Sequence, residues 1–425
     1  MPNLQFCRTH DNKKGWNTVK DFDIDAYTPA QMAARVEKAG IVKGNLDFLS
    51  MFTLSLLAGA FIAFGAVLYT YVIHDSSLSL GLTKLLGGLV FCLGLILVIV
   101  AGAELFTGNS LIVMAYVSRK ITLERLLRNW VIVFCGNLAG ALAVVFLLWQ
   151  SGQWTAAGAA VGVKALAIAS GKVNLTFVQA LSRGILCNIL VCLAVWLCFS
   201  GRSVTDKVLA IIFPITAFVT LGFEHSVANM YFVPAGLVLK QNPGVLSAAE
   251  GILGQVPDLS RLTICGFLLR NLLPVTLGNI IGGGFFVGAI YWFVYLRRSA
   301  AEPVRKLMTQ GPPVIAADKT VTEAVETMKR HSVGSVLVGE SGGHAVGIVS
   351  EADIVRKVLA AGAKPDTVKV EEIMTSPLIS VDVKTPVYKI YHTMTEHRIR
   401  HLVITDQDQQ VGFISVKDLL RGPTS

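Results

Sequence analysis

Charge and cysteine are both scarce in this sequence. Only 15% of its 425 residues are charged, whereas 53% are hydrophobic, and the mean hydropathy is +0.60. This balance excludes an ordinary soluble globular protein and indicates an integral membrane protein. Six of the seven cysteines lie in apolar runs, and no Cys-x-x-Cys pair occurs. A disulfide framework or a redox motif is therefore not expected, and the cysteines are interpreted as small, reduced packing residues.

The charge that is present is unevenly distributed. Residues 301–425 carry 15 basic and 15 acidic side chains, so the whole formal charge of +9 belongs to residues 1–300. Those basic side chains lie in short loops beside apolar segments, which is typical of membrane orientation and not of nucleic-acid binding. The first forty residues are charged throughout and lack the short apolar core of a signal peptide. Neither a nucleic-acid partner nor a cleaved leader is expected.

Long apolar stretches follow one another along residues 1–300. A bilayer span needs ~20 residues, and six stretches are long enough, at about 47–73, 84–117, 127–149, 176–199, 206–239 and 262–296. The second and fifth are too long for one straight helix, so both are predicted to be broken. Six spans put both termini on one side, and the positive-inside rule makes that side cytoplasmic.

A capped amphipathic helix is predicted ahead of the first span. Thr28 is suited to the N-cap, Pro29 to the first turn and Gly40 to the stop. We expect this helix to lie along the membrane surface.

Glu104 and Glu224 stand inside the two over-long stretches, in AGAELFTGNS (101–110) and LGFEHSVANMYFVPAG (221–236). A carboxylate at bilayer depth costs about 2.5 to 3.5 kcal/mol on insertion scales. Irregular polar backbone is tolerated there only when it is buried in protein or lines a cavity. Matching interruptions in the two halves indicate an inverted-repeat transport protein with its site near the bilayer midplane.

From about Ala301 the composition becomes that of a soluble domain, and an internal repeat occurs. Residues 304–338 align with 370–404, and GIVSEADIVRKV (347–358) aligns with GFISVKDLLR (412–421). Short β-branched runs alternate with helical ones in each copy, which predicts two stacked α/β units. The predicted domains are a cytoplasmic N-terminal segment (1–46), a membrane domain (47–298) and a cytoplasmic tail (299–425).

Four segments of the membrane domain closely resemble the formate/nitrite transporter family: AGAELFTGNSL, LTFVQALSRGILCNILVCLAVW (175–196), GFEHSVANMYFVPAG and LPVTLGNIIGGGFFVG (273–288). YTPAQMAARVEKAG resembles the family's amphipathic N-terminal helix. The resemblance implies an all-α, aquaporin-like, six-helix inverted repeat with broken helices 2 and 5. It also implies a homopentamer in the bacterial inner membrane, with one pore per protomer for small monovalent weak-acid anions. The α/β tail resembles a tandem cystathionine-β-synthase (CBS) domain pair, which most members of that family lack.

The resemblance assigns the polar centre of the pore to His225, Thr107 and Asn188. His225 matches the family's central histidine, and an imidazole, which titrates near ~6.5, suits lending a proton or a hydrogen bond to a passing carboxylate. Thr107 and Asn188 are expected to face it as neutral donors, because these bind an anion without trapping it as a fixed cation would.

The resemblance also places two apolar constrictions around this centre, one formed by Leu95, Leu105, Phe106 and Val191 and the other by Phe91 and Phe218. Apolar walls replace none of an anion's hydration, so a neutral acid crosses them far more easily. Lys172 matches a vestibule lysine that attracts anions by its positive potential. From spacing alone, ordinary helix packing and a plain loop charge stay open for these residues.

Glu104, Glu224 and Asn229 are expected to be structural residues of the helix breaks. A carboxylate that faced the path would repel an anion. Both carboxylates are therefore expected to be buried and to accept backbone N–H bonds.

Each tail repeat ends a Gly-apolar-apolar-Ser strand in Ser-x-x-Asp, as Ser350 with Asp353 and as Ser415 with Asp418. At a strand-to-helix turn, the aspartate can accept both ribose hydroxyls of a nucleotide while the serine lies near a phosphate. The same spacing is also a helix-capping pattern. Binding of AMP, ADP or ATP is therefore predicted, and a purely structural or oligomerising tail stays the alternative.

Together these features predict a channel or secondary transporter and not an enzyme, with formate as the first candidate substrate and with protons and lipid as further partners. No cofactor or metal is expected to be required. Nitrite, hydrosulfide and lactate stay open because the pore motifs do not encode the anion. A CBS-bearing cation channel is disfavoured because only two carboxylates lie deep in the spans, and oxygen-rich cation cages need more. Intramembrane metal-dependent hydrolysis is disfavoured because Asn229 stands where a second histidine would be needed.

Overall fold

Residues 26–297 are mainly helical. The computed structural model describes residues 26–297, 304–311, 313–339, 345–385, 387–397, 399–407 and 409–421. In chain order the helices of the membrane part are α1 (Pro29–Gly44), α2 (Phe48–Val72), α3 (Leu80–Ala101), α4 (Val113–Val117), α5 (Leu123–Ser151), α6 (Ala160–Val173), α7 (Phe177–Cys198), α8 (Val204–Thr220), α9 (Ser226–Leu239), α10 (Pro243–Leu253) and α11 (Gly266–Leu296). Short 3₁₀ turns lie at Gly108–Ile112 and Gln153–Thr155, and α11 contains π-helical turns at Gly266–Leu272, Ile281–Ala289 and Trp292–Leu296.

Five of these helices, α2, α3, α5, α7 and α11, are long and apolar enough to cross a membrane. The two predicted breaks are confirmed. The first over-long stretch divides into α3 and the Gly108–Val117 segment, and the second divides into α8 and α9. Each leading helix is followed by a glycine in the left-handed region, Gly102 with φ +81° and Gly222 with φ +70°. Glycine adopts this conformation without steric penalty, so each helix can end there.

The N-terminal helix α1 differs in one respect from the prediction. Thr28 and Gln31 form a capping box and Pro29 begins the helix, but the helix runs past Gly40 to Gly44. It also packs on protein, because Gly40 lets it approach the backbone of Ile112 closely. Met32, Ala33 and Val36 on its apolar face are buried, in contacts that include Met114 and Trp196.

Glycines set the close crossings on which the repeat is built. In the first half α2 packs against α5, and a Cβ added at Gly140 would fall on the carbonyl oxygen of Leu56. In the second half α7 packs against α11, and a Cβ added at Gly282 would fall on the carbonyl oxygen of Ile185. Both crossings are closer than any side chain permits.

Two helices lie outside the predicted spans. They are α6 and α10, at 14 and 11 residues too short to cross a bilayer. Of the cysteines in apolar runs, Cys92, Cys187, Cys192 and Cys198 are buried and unpaired, as a packing role requires, whereas Cys135 and Cys265 are exposed on the isolated chain.

The tail contains two small sheets, one for each repeat. Its strands are β1 (Thr309–Gln310), β2 (Val314–Ile315), β3 (Ser335–Gly339), β4 (Ala345–Ser350), β5 (Ser380–Asp382), β6 (His401–Asp406) and β7 (Gln409–Ser415). Its helices are α12 (Val321–His331), α13 (Glu351–Ile354, continued by a π-helical turn Val355–Leu359), α14 (Val370–Ile373), α15 (Val387–Glu396) and α16 (Val416–Arg421), and a 3₁₀ turn lies at Val304–Lys306.

The strand order is β2-β3-β4 in the first sheet and β1-β7-β6-β5 in the second. Residues near the start of each repeat pair with a strand of the other repeat. Thr309 of β1, in the first repeat, pairs with Phe413 of the second, and Thr375 of the second repeat forms a bridge with Ile348 of the first. Leu337 and Val403 pack together between the sheets. The predicted pair of stacked α/β units is confirmed.

Candidate functional site

A lysine, a glutamate and two asparagines form a largely buried cluster at the first break. Lys43 Nζ lies 2.6 Å from Glu104 Oε1 and 3.0 Å from Asn109 Oδ1. Asn109 Nδ2 donates to Glu104 Oε2 at 2.7 Å and to Asn129 Oδ1 at 3.0 Å, and Asn129 Nδ2 donates to Lys43 O at 3.1 Å. Glu104 is only 5% exposed, so these bonds supply the partners that a buried carboxylate needs.

The second break carries the same cluster. Lys172 Nζ lies 3.0 Å from Glu224 Oε1, and Asn229 Nδ2 donates at 2.7 Å both to Glu224 Oε2 and to Asn271 Oδ1. Asn271 Nδ2 donates to Lys172 O at 3.0 Å. Asn229 Oδ1 has no hydrogen-bond partner among the described residues, whereas the corresponding atom of Asn109 accepts from lysine. This repetition is what an inverted repeat predicts.

Two further asparagines hold the irregular backbone of the breaks. Asn137 Nδ2 donates to Glu104 O at 2.9 Å, and Asn137 Oδ1 accepts from Phe106 N at 2.9 Å. Asn279 does the same in the second half, with Glu224 O at 3.0 Å and Ser226 N at 2.9 Å. Backbone groups that no helix satisfies are therefore bonded inside the protein, as bilayer depth requires.

The expectation that both carboxylates accept backbone N–H bonds is wrong in one respect. Both are buried, as predicted. In the described residues, however, the groups that donate to Glu104 and Glu224 are lysine ammonium and asparagine amide groups. The physical reason is that Asn137 and Asn279 already satisfy the backbone of the breaks.

Thr107 and His225 meet between the two breaks. Thr107 Oγ1 lies 2.9 Å from His225 Nε2, and both residues are buried. His225 Nδ1 accepts from Ala228 N at 3.0 Å, because His225 is the N-cap of α9. A backbone N–H can only donate, so the proton of the neutral ring is on Nε2 and is donated to Thr107 Oγ1. The threonine hydroxyl proton is thereby directed away from the histidine.

Asn188 lies beside this pair, but its amide group is oriented differently from the prediction. Asn188 Nδ2 donates to Asn279 O at 2.6 Å and contacts Thr107 O and Ser110 Oγ at 3.2 Å. Asn188 Oδ1 is buried and has no partner in the described part of the chain. The amide N–H groups of Asn188, which were expected to face the histidine as donors, are therefore bonded to backbone carbonyls. The atom without a partner is its carbonyl oxygen, which can only accept a hydrogen bond.

A cavity lies on each side of the Thr107–His225 pair. The cavity on the Lys43 side, about 100 Å³, is lined by Leu95, Leu105 and Asn109 and by α1. The cavity on the Lys172 side, about 70 Å³, is lined by Phe91, Phe218 and His225. The Phe91 and Phe218 rings contact edge to face at 5.8 Å, and the Phe218 ring lies 5.9 Å from that of His225.

Lys172 lies at the end of α6, and its side chain is only 14% exposed. It lines the second cavity as one member of an ion pair with Glu224, and its role at a vestibule stays a prediction. The alternative of a plain loop charge does not fit this burial.

In the tail, both Ser-x-x-Asp motifs form capping boxes. Ser350 N and Oγ donate to Asp353 Oδ2 at 3.1 and 2.6 Å, and Ser415 N and Oγ donate to Asp418 Oδ2 at 2.8 and 2.6 Å. An open cleft of about 340 Å³ lies where the ends of the two repeats meet. Its lining residues are Thr309, Ser332, Val333, Gly334, Ser335, Ser350, Glu351, Ala352, Arg400, His401, Phe413, Ser415, Val416 and Asp418.

The sequence profile of the formate/nitrite transporter family matches residues 30–293, which is more than half of the chain. The chain belongs to the formate/nitrite transporter family. The CBS domain profile matches residues 304–360 and 370–424, so the tail is a tandem CBS pair. Membership in this family, together with the apolar helices, makes the chain a membrane transport protein.

The relatives described next match the transporter part of the chain. The formate channel FocA of Escherichia coli (strain K12) is 44% identical over 283 residues, which are 66% of this chain and 98% of FocA. A probable formate transporter of Methanothermobacter thermautotrophicus is 39% identical, over 64% of this chain and 97% of that protein. A solved structure of a pentameric formate channel with formate bound is 44% identical, with a TM-score of 0.55 over 59% of this chain and 98% of that one. The predicted fold class, an all-α transporter domain followed by an α/β CBS tail, is confirmed.

The six residues predicted as constrictions of this transporter all belong to one buried cluster. Leu95 and Leu105 line the first cavity, and Phe91 and Phe218 line the second. The other two, Phe106 and Val191, line neither cavity. The Phe106 ring packs on the aromatic rings of α5, with its centroid 5.1 Å from that of Phe134.

Several site residues were not found by sequence reasoning: Lys43, Asn109, Asn129, Asn137, Asn271 and Asn279. A signal for them exists in the transporter domain. Both halves contain Glu-x₄-Asn, at 104–109 and 224–229, and Arg-Asn-x₆-Gly-Asn, at 128–137 and 270–279. Aligning the two halves with each other would have revealed all of them except Lys43.

Proposed function

We propose that this chain is a channel or secondary transporter for small monovalent weak-acid anions, with formate as its first substrate. The single observation that carries the proposal is the hydrogen bond between Thr107 and His225, at 2.9 Å, which joins the two helix breaks between two separate cavities. The formate channels among the relatives support formate as the substrate.

His225 acts as a hydrogen-bond donor at the centre of the path. Its Nδ1 is occupied by the Ala228 N–H, so a cationic ring would place two N–H groups against each other. Of the two roles open to an imidazole here, lending a hydrogen bond fits this geometry better than full transfer of a proton. Thr107 relays that bond, because its hydroxyl accepts from Nε2 and can donate onward.

The constrictions favour the neutral acid over the bare anion. Leu95 and Leu105 on one side and Phe91 and Phe218 on the other offer an ion no replacement for its hydration. The Lys43–Glu104 and Lys172–Glu224 pairs attract an anion at either entrance without binding it tightly. The anion then gains its proton, or a strong hydrogen bond, before it reaches the apolar rings.

We propose that the protein is a homopentamer in the bacterial inner membrane, with both termini in the cytoplasm. The pentameric state of a similar formate channel supports the assembly. Basic residues at and near the start of α5, such as Lys120 and Arg128, support the orientation, since they follow the positive-inside rule. The Lys43 cavity then faces the cytoplasm and the Lys172 cavity faces outward. The exact domain boundaries, 46/47 and 298/299, stay predictions.

The CBS pair regulates the pore by binding an adenine nucleotide, AMP, ADP or ATP. Ser415 and Asp418 line the tail cleft together with Ser350, and the cleft has room for a nucleoside. The capping boxes also fit the alternative of a purely structural tail. Nitrite, hydrosulfide and lactate stay as alternative substrates. The cation-channel alternative gains no support, because the relatives whose names state a substrate are formate channels and a probable formate transporter.

Flux measurements in proteoliposomes test the proposal. Uptake of formate, nitrite, hydrosulfide and lactate is measured at two pH values, with and without AMP, ADP and ATP. Formate is expected to be carried fastest, and faster at the lower pH, because the anion then takes up a proton more readily at the hydrogen bond that His225 and Thr107 offer. The His225→Phe variant is expected to lose this pH dependence. Thr107→Val is the matched variant, because it removes the hydroxyl group to which His225 is hydrogen-bonded. An unchanged pH profile in His225→Phe would refute the central role of the histidine.

A further inference from the structure

The two ends of the tail cleft are chemically unequal, although the repeats that form them align. We propose that the tail binds one adenine nucleotide per chain, held by Asp418 of the second repeat, and that Asp353 of the first repeat is a structural residue. This inference rests on the nucleotide regulation proposed above and specifies which half of the pair performs it.

The carboxylates differ in what they already bind. Asp353 Oδ2 accepts from Ser350, and Asp353 Oδ1 lies 3.2 Å from Lys357 Nζ, so both oxygens are engaged. Asp418 Oδ2 accepts from Ser415 in the same way, but Asp418 Oδ1 has no partner among the side chains that the structure describes. The sequence position that corresponds to Lys357 is Gly422, which has no ammonium to offer. Asp418 also lines the cleft, whereas Asp353 does not.

The charges beside the two carboxylates differ in the same direction. Glu351 lies at the end of the cleft that the first repeat forms. Its carboxylate carbon is 3.3 Å from the position that a Cβ atom would occupy on Gly334. In the aligned second repeat, Glu351 is replaced by Val416 and Gly334 by Arg400. A phosphate is therefore repelled at the first end, and at the second it meets a guanidinium that can bind it with two hydrogen bonds.

A surface for the base exists only at the second end. The rings of His401 and Phe413 lie 6.2 Å apart there, and both line the cleft. The aligned residues of the first repeat are Ser335 and Ile348, which have no aromatic face. A purine stacks on aromatic side chains whatever its other substituents. Carboxylate, guanidinium and aromatic surface thus coincide at one end of the cleft.

Equilibrium dialysis of the full-length protein in detergent against radiolabelled AMP, ADP and ATP tests the inference. One nucleotide per chain is expected for whichever of the three binds. Asp418→Asn is expected to weaken its affinity by about 100-fold, since two hydrogen bonds to a charged acceptor are lost. Asp353→Asn is the matched control and is expected to change the affinity by less than about threefold. Each asparagine keeps an oxygen that can accept the capping bonds, so both variants should fold.

The outcomes separate this inference from the regulation itself. Two nucleotides per chain, or an equal loss of affinity in Asp353→Asn, would overturn the assignment to Asp418 while nucleotide binding stands. No binding of AMP, ADP or ATP to the native protein would overturn both. If Asp418→Asn unfolds, as judged by its thermal transition, Arg400→Met replaces it and is expected to weaken ADP and ATP about tenfold. An unchanged affinity in Arg400→Met would contradict the assignment.

Discussion

Lys172 Nζ lies 3.0 Å from Glu224 Oε1, and Lys43 forms the same pair with Glu104 at the other end of the path. In the proposed transport function, each lysine meets an incoming anion as half of a neutral pair. The anion then competes with the glutamate for the ammonium group, so it is attracted but can still be released, as passage requires. In this proposal the glutamates, which would repel an anion on their own, keep the lysines from binding it too tightly.

The Lys172–Glu224 pair predicts a specific pattern of stabilities. Lys172→Met leaves Glu224 as a buried carboxylate without its cation, which typically costs about 3 to 5 kcal/mol. The double variant Lys172→Met/Glu224→Gln removes both charges and is expected to recover most of that loss. Thermal unfolding of the native protein, Lys172→Met, Glu224→Gln and the double variant in detergent measures the cycle.

The same four proteins separate the two roles of the pair in transport. Glu224→Gln frees Lys172 from its partner, so formate is expected to bind at lower concentration but to pass at a lower maximal rate. Flux measured against formate concentration distinguishes these effects. Additive stabilities, together with an unchanged concentration dependence, would mean that the pair does not act as a unit.

Asn279 predicts how strongly the second break depends on one side chain. Asn279→Leu leaves the Ser226 N–H and the carbonyl groups of Glu224 and Gly184 without their partner. Each buried, unsatisfied group costs about 1 to 3 kcal/mol, so the variant is expected to lose assembly or several degrees of thermal stability.

Thr276→Val on the same helix is the control for Asn279→Leu. Thr276 Oγ1 is buried and has no hydrogen-bond partner in the described residues, so its removal is expected to be neutral. Equal stability losses in the two variants would show that general packing of α11, and not the asparagine, holds the break.

The sequence predicted the position of the breaks because Glu104 and Glu224 interrupt apolar runs too long for one helix. It did not predict the partners of those carboxylates, because Lys172 and Glu224 are 52 residues apart and only the crossing of helices brings them together. Asn137 and Asn279 can be found by aligning the two halves, because a Gly-Asn motif occurs in each at 136–137 and 278–279. The Asn188 orientation could not, since it depends on which backbone carbonyls lie nearest to its amide.

Gly140 predicts that the α2–α5 crossing tolerates no side chain. A methyl group there would overlap the carbonyl oxygen of Leu56, so Gly140→Ala is expected to destabilise the protein by at least about 1 to 3 kcal/mol. Gly171→Ala is the matched control, because a Cβ at Gly171 in α6 meets no atom within 4 Å. Alanine favours a helix by about 1 kcal/mol over glycine, so the control is expected to be neutral or stabilising. Thermal unfolding that ranks the two variants in the opposite order would contradict the close crossing.

Asp353 predicts a pH dependence for the first tail repeat. Burial alone raises the pKa of its carboxyl group, but the hydrogen bonds from Ser350 and the Lys357 ammonium outweigh burial and hold that pKa below its ordinary value. A lowered folded-state pKa means stability that is present above the unfolded pKa of 3.8 and is lost as pH falls through the folded value.

Removing the carboxylate with Asp353→Ala is therefore expected to cost about 1 kcal/mol at neutral pH and much less at a pH below the folded pKa. The Lys357 side chain is 42% exposed, so the ion pair contributes only a minor part of this effect. Hydrogen exchange of the amides in residues 351–359, corrected for the intrinsic rate at each pH, measures local stability in the full-length protein. Asp366→Asn, at an exposed turn, is the control and is expected to leave those amides unchanged. A difference between native and Asp353→Ala protein that persists undiminished in acid would show that the cap stabilises the helix through its shape and not through its charge.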